Sequence, residues 1–121
     1  MDYEVSVAEK DSLIVCVVSG PIIRGDARKF TSEMTVLAQA RGIKRFLFDV
    51  REAPNASSIL GSYTFVHEDL TELGFPRISR VAILRTADDA SHDFIETVSR
   101  NAGYLVRLFV DEADAIAWLE R

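Results

Sequence analysis

Along the first twenty residues the apolar positions change rhythm once. Tyr3, Val5 and Val7 alternate with Asp2, Glu4 and Ser6, a period of two that predicts a strand with one face on a core and the other in water. After a polar turn at Lys10-Asp11, Leu13 to Val18 are apolar at every position, which predicts a strand buried on both faces. The two are expected to pair as an antiparallel hairpin, the first strand at or near a sheet edge. Gly20-Pro21 stops the second strand. From Asp26 to Arg41 the rhythm becomes helical, with Ala27, Phe30, Met34, Leu37 and Ala38 recurring at three- and four-residue steps. Gly42 stands where a residue without Cβ closes a helix in left-handed geometry.

Phe46-Leu47-Phe48 predicts a short buried strand running to Asp49-Val50, and Arg51 to Ala56, with Pro54 and Asn55, predicts a loop. A second helix is expected from about Ser58 to Leu73. Ile59, Tyr63, Val66, Leu70 and Leu73 form its apolar stripe, and Gly74 and Pro76 end it. Val81 to Leu84 is another buried strand. Asp88-Asp89 precede a third helix carrying Phe94, Ile95, Val98 and Ala102, which Gly103 ends. Leu105 to Val110 is the last strand. Asp111 is placed to N-cap the final helix, with Asp114 in its first turn and Ala115, Trp118 and Leu119 as docking residues. The order ββαβαβαβα predicts an α/β fold. Its sheet is mixed and mostly parallel, of about five strands with four helices. Residues 1–121 read as one domain without repeat, linker or low-complexity tract.

Composition narrows the functional classes. The 121 residues are 48% apolar and 27% charged, enough to build a core without disulfide or metal. The net charge is −5. Basic residues such as Arg24, Arg28, Lys29, Arg51, Arg80 and Arg107 are scattered, which argues against a nucleic-acid partner. The single cysteine, Cys16, cannot form an intramolecular disulfide, and its apolar surroundings predict an inert thiol. Met1-Asp2-Tyr3-Glu4 does not read as a signal peptide, and no apolar run approaches membrane-spanning length. A cytoplasmic location is expected.

A search for chemistry finds no metal-ligand spacing around His67 or His92, no nucleophile elbow, no phosphate-binding glycine loop and no cofactor motif. Each histidine is expected to be solvated or locally bonded. Asp49 ends a strand where a phosphoacceptor would stand, but the acidic pair and lysine of that chemistry are missing, so Asp49 is read as a loop organiser. A reactive set could only be assembled from distant residues such as Asp49, His67 and His92. Catalytic, metal and cofactor sites are therefore expected to be absent. The polar segment Arg51 to Ser58 is more informative, because it follows a central strand and delivers Ser57 and Ser58 to a helix start. There a serine either caps the helix or accepts a phosphate.

Three stretches resemble the STAS superfamily, and within it the SpoIIAA-like (STAS/SEC14-like) branch. Arg45-Phe46-Leu47-Phe48-Asp49-Val50 is similar to its third strand with the terminal aspartate. Val81-Ala82-Ile83-Leu84 is similar to the strand that opens its C-terminal half. Val106 to Ala113, followed by Ala115-Ile116-Ala117-Trp118-Leu119, is similar to its ending. The resemblance implies a non-enzymatic regulatory domain that binds a protein partner, with Ser58 or Ser57 as phosphoacceptor. The Asp-Ser-Ser/Thr-Gly pattern of phosphorylated members is replaced here by Asn55-Ala56-Ser57-Ser58-Ile59. Candidate partner-binding residues are Arg51, Asn55, Ser57, Ser58 and Phe65, with Tyr63 beside them. Phe65 falls off the apolar stripe and is expected to be exposed unless it packs beneath a neighbouring helix. The alternative is a SEC14-like carrier or sensor of a small apolar ligand, in a pocket between the second helix and the sheet lined by Tyr63, Phe75 and Trp118. A homodimer through the edge strand is a further expectation.

Overall fold

The computed structural model describes the backbone of residues 1–121 and every side chain except that of Asp11. Five strands, β1 (Asp2–Ala8), β2 (Leu13–Ser19), β3 (Arg45–Glu52), β4 (Arg80–Leu84) and β5 (Leu105–Phe109), form one sheet in sequence order. β1 and β2 are antiparallel, Val5 opposite Cys16, and close through a 3-10 turn, Glu9–Asp11. The other neighbours are parallel, with Phe46 beside Val81 and Val81 beside Val106. β1 takes an edge, and Tyr3, Val5 and Val7 face the core as their alternation predicts.

Helix α1 (Arg24–Arg41) follows β2. The Asp26 carboxylate accepts from the Ile23 N–H at its start, and Gly42 ends it at φ 66°. After β3 comes a helical rod over residues 59–73. It is α2 (Ile59–Thr64), a π-helical turn (Phe65–Asp69) and α3 (Leu70–Leu73), stopped by Gly74 at φ 76°. Helix α4 (Asp93–Asn101) precedes β5, and α5 (Glu112–Leu119) closes the chain. The Asp111 carboxylate caps α5 by accepting from the Asp114 N–H at 3.1 Å.

The helices divide unequally between the two faces. Phe30, Met34 and Ala38 of α1, Val66 and Leu70 of the rod and Val98 of α4 pack with Ile14, Cys16, Phe46, Val81 and Val106. Only α5 covers the other face, where Ala115, Trp118 and Leu119 meet Leu13, Leu47, Ala82 and Leu84. This corrects the expectation that β2 is buried on both sides. Val15 is half-buried and Val17 is exposed, because the eight-residue α5 covers the Leu13 end of β2 and leaves the Val17 end open. Burial pushes the Cys16 thiol up to about 12, so it stays protonated and inert at neutral pH.

The rod brings a second correction. Ile59 and Tyr63, expected on the inward stripe, face solvent, while Ser62, Val66, Asp69 and Leu70 are buried. Phe65, off that stripe and open to either exposure or packing beneath a neighbour, is half-buried against the core. The π turn is the reason. The Leu70 N–H donates to the Phe65 carbonyl five residues back, which fits one extra residue into the turn and swings Phe65 and Leu70 to the same side.

Candidate functional site

Between the rod, α1, α4 and the sheet lies a cavity of about 110 Å³. Its floor is the inward face of the strands, Phe48 and Val50 of β3, Val81 and Ile83 of β4 and Val106 of β5. Ala27, Phe30 and Thr31 wall it from α1, Ser62, Phe65 and Leu70 from the rod, and His92, Ile95 and Ser99 from the start and length of α4. Phe75 and Tyr104 close one end. Arg24, exposed, and Asn55 and Ser57, half-buried, stand at its more accessible side.

The loop between β3 and the rod is held into this cavity by main-chain and side-chain bonds. Ile22 N–H donates to the Pro54 carbonyl and Ala56 N–H to the Ile22 carbonyl, so the loop runs as a short parallel bridge with the start of α1. Asn55 organises the rest. Its N–H donates to Ser91 Oγ at 2.8 Å, its Oδ1 accepts from Ser57 N–H at 3.0 Å and its Nδ2 donates to Ser62 Oγ at 3.3 Å. That last bond explains why Ser62 turns inward. His92 adds a tie, its Nε2 donating to the Ala53 carbonyl at 2.9 Å. His92 is therefore not solvated, and besides this long-range bond it meets Asp89 three residues back at 3.6 Å. It is buried, and burial holds it below the ordinary imidazole range against the opposing pull of that bond and of Asp89. It is neutral at pH 7.

Ser58 sits one residue outside α2 and accepts from the Gly61 N–H at 2.9 Å. Gly61 leaves room for this, since a Cβ there would stand 3.1 Å from Ser58 Oγ. Ser58→Ala is expected to lower stability by about 1 kcal/mol, read as a shift in the urea midpoint.

Two buried hydroxyls of the lining residues make no hydrogen bond among the described residues. Thr31 Oγ1, in a residue 1% exposed, is one, although the next threonine on that face, Thr35, donates to the Thr31 carbonyl at 2.7 Å. Tyr104 Oη, in a residue 3% exposed, is the other; its ring lies between Phe75 and the Arg77 guanidinium. Each uncompensated hydroxyl costs about 1–3 kcal/mol. Nothing in the sequence marks these two as different from ordinary core positions.

The sequence candidates are only partly gathered here. Asn55, Ser57, Phe65 and Phe75 line the cavity and Ser58 adjoins it. Tyr63 and Trp118 do not line it, which corrects that expectation. Tyr63 points outward and stacks on His67 at 4.2 Å between ring centroids. Trp118 lies on the α5 face, packed on Phe109 and under the Arg80 guanidinium. Arg51 is also separated from the others. It alternates with Val50 onto the α5 face, where it pairs with Asp49 at 2.7 Å and reaches Glu112 at 3.2 Å. Asp49 thus organises the strand end. The Arg51 guanidinium beside it holds its carboxyl below the usual range, against partial burial. Asp49, His67 and His92 occupy three different surfaces. Among the described residues no group of three or more His, Cys, Asp or Glu could hold a metal ion, and no helix is long and apolar enough to cross a membrane.

An α/β sheet in sequence order, with helices on one face and a lone C-terminal helix on the other, is a SpoIIAA-like fold. Two solved structures share it. One is an uncharacterised protein of the DUF3478 family with a SpoIIAA-like fold from Shewanella loihica PV-4, at TM-score 0.53 and 20% identity, over 98% of this chain and 92% of that one. The other is the anti-sigma factor antagonist SpoIIAA in its unphosphorylated form, at TM-score 0.57 and 11% identity, over 97% and 96%. No protein-family model matches the sequence, and no curated protein matches it.

Proposed function

We propose that this protein is a non-enzymatic regulatory domain of the cytoplasm that docks a protein partner on the first turn of the rod and the loop before it. One observation carries the reading. Ile59 and Leu60 are each 73% exposed and Tyr63 49%, three large apolar side chains on one helical turn with no role in the core. Contiguous apolar exposure of this kind marks an interaction surface. The fold shared with a protein named for antagonising an anti-sigma factor supports it. Ser58 stands at the edge of this patch, with Asn55 and Ser57 behind it. A phosphate on Ser58 would set about two negative charges beside Ile59 and Leu60 and weaken docking.

Leu60→Ser tests the reading. Because the side chain is exposed, stability is expected to change by no more than about 0.5 kcal/mol. The partner recovered by affinity capture from cells, quantified against wild type, is expected to fall severalfold. Sedimentation velocity on both proteins identifies the case in which the partner is a second copy of this chain. The same proteins captured in the same yield by wild type and Leu60→Ser would rule this surface out.

A second reading is favoured by the cavity: a domain that carries or senses a small molecule. Its largely apolar lining, which includes Phe30, Phe48, Phe65, Ile83 and Ile95, is the observation for it.

A further inference from the structure

We propose that the protein pairs with a second copy of itself through β1. The two sheets join edge to edge about a two-fold axis at Val5, and the two α1 helices pack side by side over the join. This surface is separate from the rod and from the cavity beneath it.

The two edges of the sheet differ. β1 is seven residues long and pairs with β2 in unbroken register, without bulge, proline or glycine. Alternate residues of an edge strand turn their N–H and C=O groups outward, a template for a further strand. Among the described residues no side chain bonds a main-chain group of β1. The opposite edge is guarded. There the Glu96 carboxylate accepts from the Leu108 N–H of β5 at 2.9 Å, and a charge set on an edge deters pairing.

The occupant of the open edge is selected by the strand's own pattern. A two-fold axis perpendicular to the sheet keeps the dry face, Tyr3, Val5 and Val7, on one side and the wet face, Asp2, Glu4 and Ser6, on the other. Centred on Val5, the antiparallel pairing uses the whole strand. Tyr3 then faces the second copy's Val7, Glu4 its Ser6 and Asp2 its Ala8. No two carboxylates stand directly opposite, an arrangement that would destabilise the pair. A centre at Glu4 would set Glu4 against itself and leave part of the strand unpaired.

Helix α1 continues the surface. Besides its core stripe of Phe30, Met34 and Ala38, it carries a second stripe, Lys29, Glu33, Val36, Leu37 and Ala40, which lines an open groove together with Val5. This stripe overhangs the β1 edge, with the Lys29 ammonium 6.0 Å from the Tyr3 ring. Val36 is 65% exposed. Neighbouring strands lie about 4.8 Å apart and packed helices about 8–10 Å apart, so helices overhanging the joined edges meet across the axis. Val36, Leu37 and Ala40 supply the apolar contact. Lys29 and Glu33, exposed and in no ion pair among the described residues, place one charge of each sign on each copy. The meeting helix faces therefore carry no net charge, and the polar groups lie toward the rim.

The test is sedimentation velocity on wild type, Val36→Asp and Leu60→Ser across micromolar to hundred-micromolar concentration, with amide exchange over residues 2–8. Wild type is expected to shift from monomer to dimer within that range. Val36→Asp is expected to weaken the dimer about a hundredfold, since it would bury an unpaired carboxylate between the helices. Its urea midpoint should stay near wild type, because the side chain is exposed in the monomer. Leu60→Ser is expected to dimerise as wild type does, which separates this surface from the one proposed on the rod. Exchange over residues 2–8 is expected to slow as the dimer fills, because the edge N–H groups gain partners. A monomer at every concentration would overturn the proposal. So would a dimer that Val36→Asp leaves intact, or one that forms without slowing exchange in β1.

Discussion

Asp69→Ala is expected to destabilise the protein by about 3 kcal/mol, near the lower end of what removing one partner from a buried ion pair costs. Asp69 is fully buried at the π turn of the rod. Its Oδ2 and Oδ1 accept from Arg24 at 2.7 and 2.9 Å, and Oδ1 also accepts from Arg28. Both arginines belong to α1, so this single carboxylate fastens the rod to its neighbour. They are 44% and 32% exposed and can turn to water once Asp69 is gone, which keeps the loss from the upper end of the range. Glu72, which meets Arg28 in solvent at 2.9 Å, is a control. Its alanine variant is expected to cost no more than about 1 kcal/mol. Urea unfolding of the three proteins at pH 7 gives these differences, and amide exchange over 59–73 is expected to rise in Asp69→Ala alone.

The same carboxylate gives a pH signature. Hydrogen bonds from Arg24, then those from Arg28, hold Asp69 below the usual carboxylate range, with burial opposing them. A group depressed in the folded state stabilises above its unfolded pKa, about 3.9 for aspartate, and that contribution is lost as pH falls through the lower folded value. The gap between wild type and Asp69→Ala is therefore expected to be constant from neutral pH down to about 5 and to close in the acid range below 4. A gap that is already closed at pH 6 would remove Asp69 as its cause.

Much of the scaffold was legible because it depends on periodicity and local chemistry. The β1 alternation, the Gly42 and Gly74 stops and the Asp111 cap each follow from one residue's preference and its immediate neighbours, and all are present. The rod was misread for a different reason. Apolar residues at 59 and 63 fit a 3.6-residue stripe as well as Ser62, Phe65 and Asp69 fail to. What decides the phase is tertiary: Asn55 holds Ser62 inward, Arg24 and Arg28 hold Asp69 inward, and the π turn accommodates Phe65 with Leu70. A buried aspartate is compatible with a core only when its partners are in place, and those partners lie more than forty positions away. Trp118 was misplaced similarly. Its helix is apolar enough to dock on either sheet face, and only the chain path fixes which. The cavity itself left no mark in the sequence, because a void is a property of packing and not of residue type.

The loop and the cavity share their supports. Asn55, Ser57, Ser62 and His92 line the cavity and also hold residues 53–58 in place. The docking surface proposed at Ile59 and Leu60 follows directly on that loop, so a change in the loop's packing is expected to reach both the proposed surface and the cavity.

Phe75→Ala is expected to cost about 4 kcal/mol, in the range for truncating a buried aromatic side chain. The ring is buried, 4.7 Å from Phe46 and 6.3 Å from Tyr104 by centroid. Its backbone is pinned, since Gly74 turns the chain at φ 76° and the Phe75 N–H donates to the Leu70 carbonyl at 2.9 Å. The floor beneath it is sheet, which cannot collapse into the space. The hole left by the ring therefore joins the existing cavity and does not close. A merged, largely apolar space is expected to take up benzene, and saturating benzene is expected to raise the melting temperature of Phe75→Ala more than that of wild type, since a ligand that binds only the folded state stabilises it. Trp118→Ala separates cavity effects from general loosening. It should lose a comparable amount of stability, about 3–5 kcal/mol, but on the α5 face, away from the cavity. Its response to benzene should thus match wild type. If Trp118→Ala were rescued by benzene as strongly as Phe75→Ala, the stabilisation could not be assigned to the space beneath the rod, and the two faces of the sheet would not be independent in the way their packing requires.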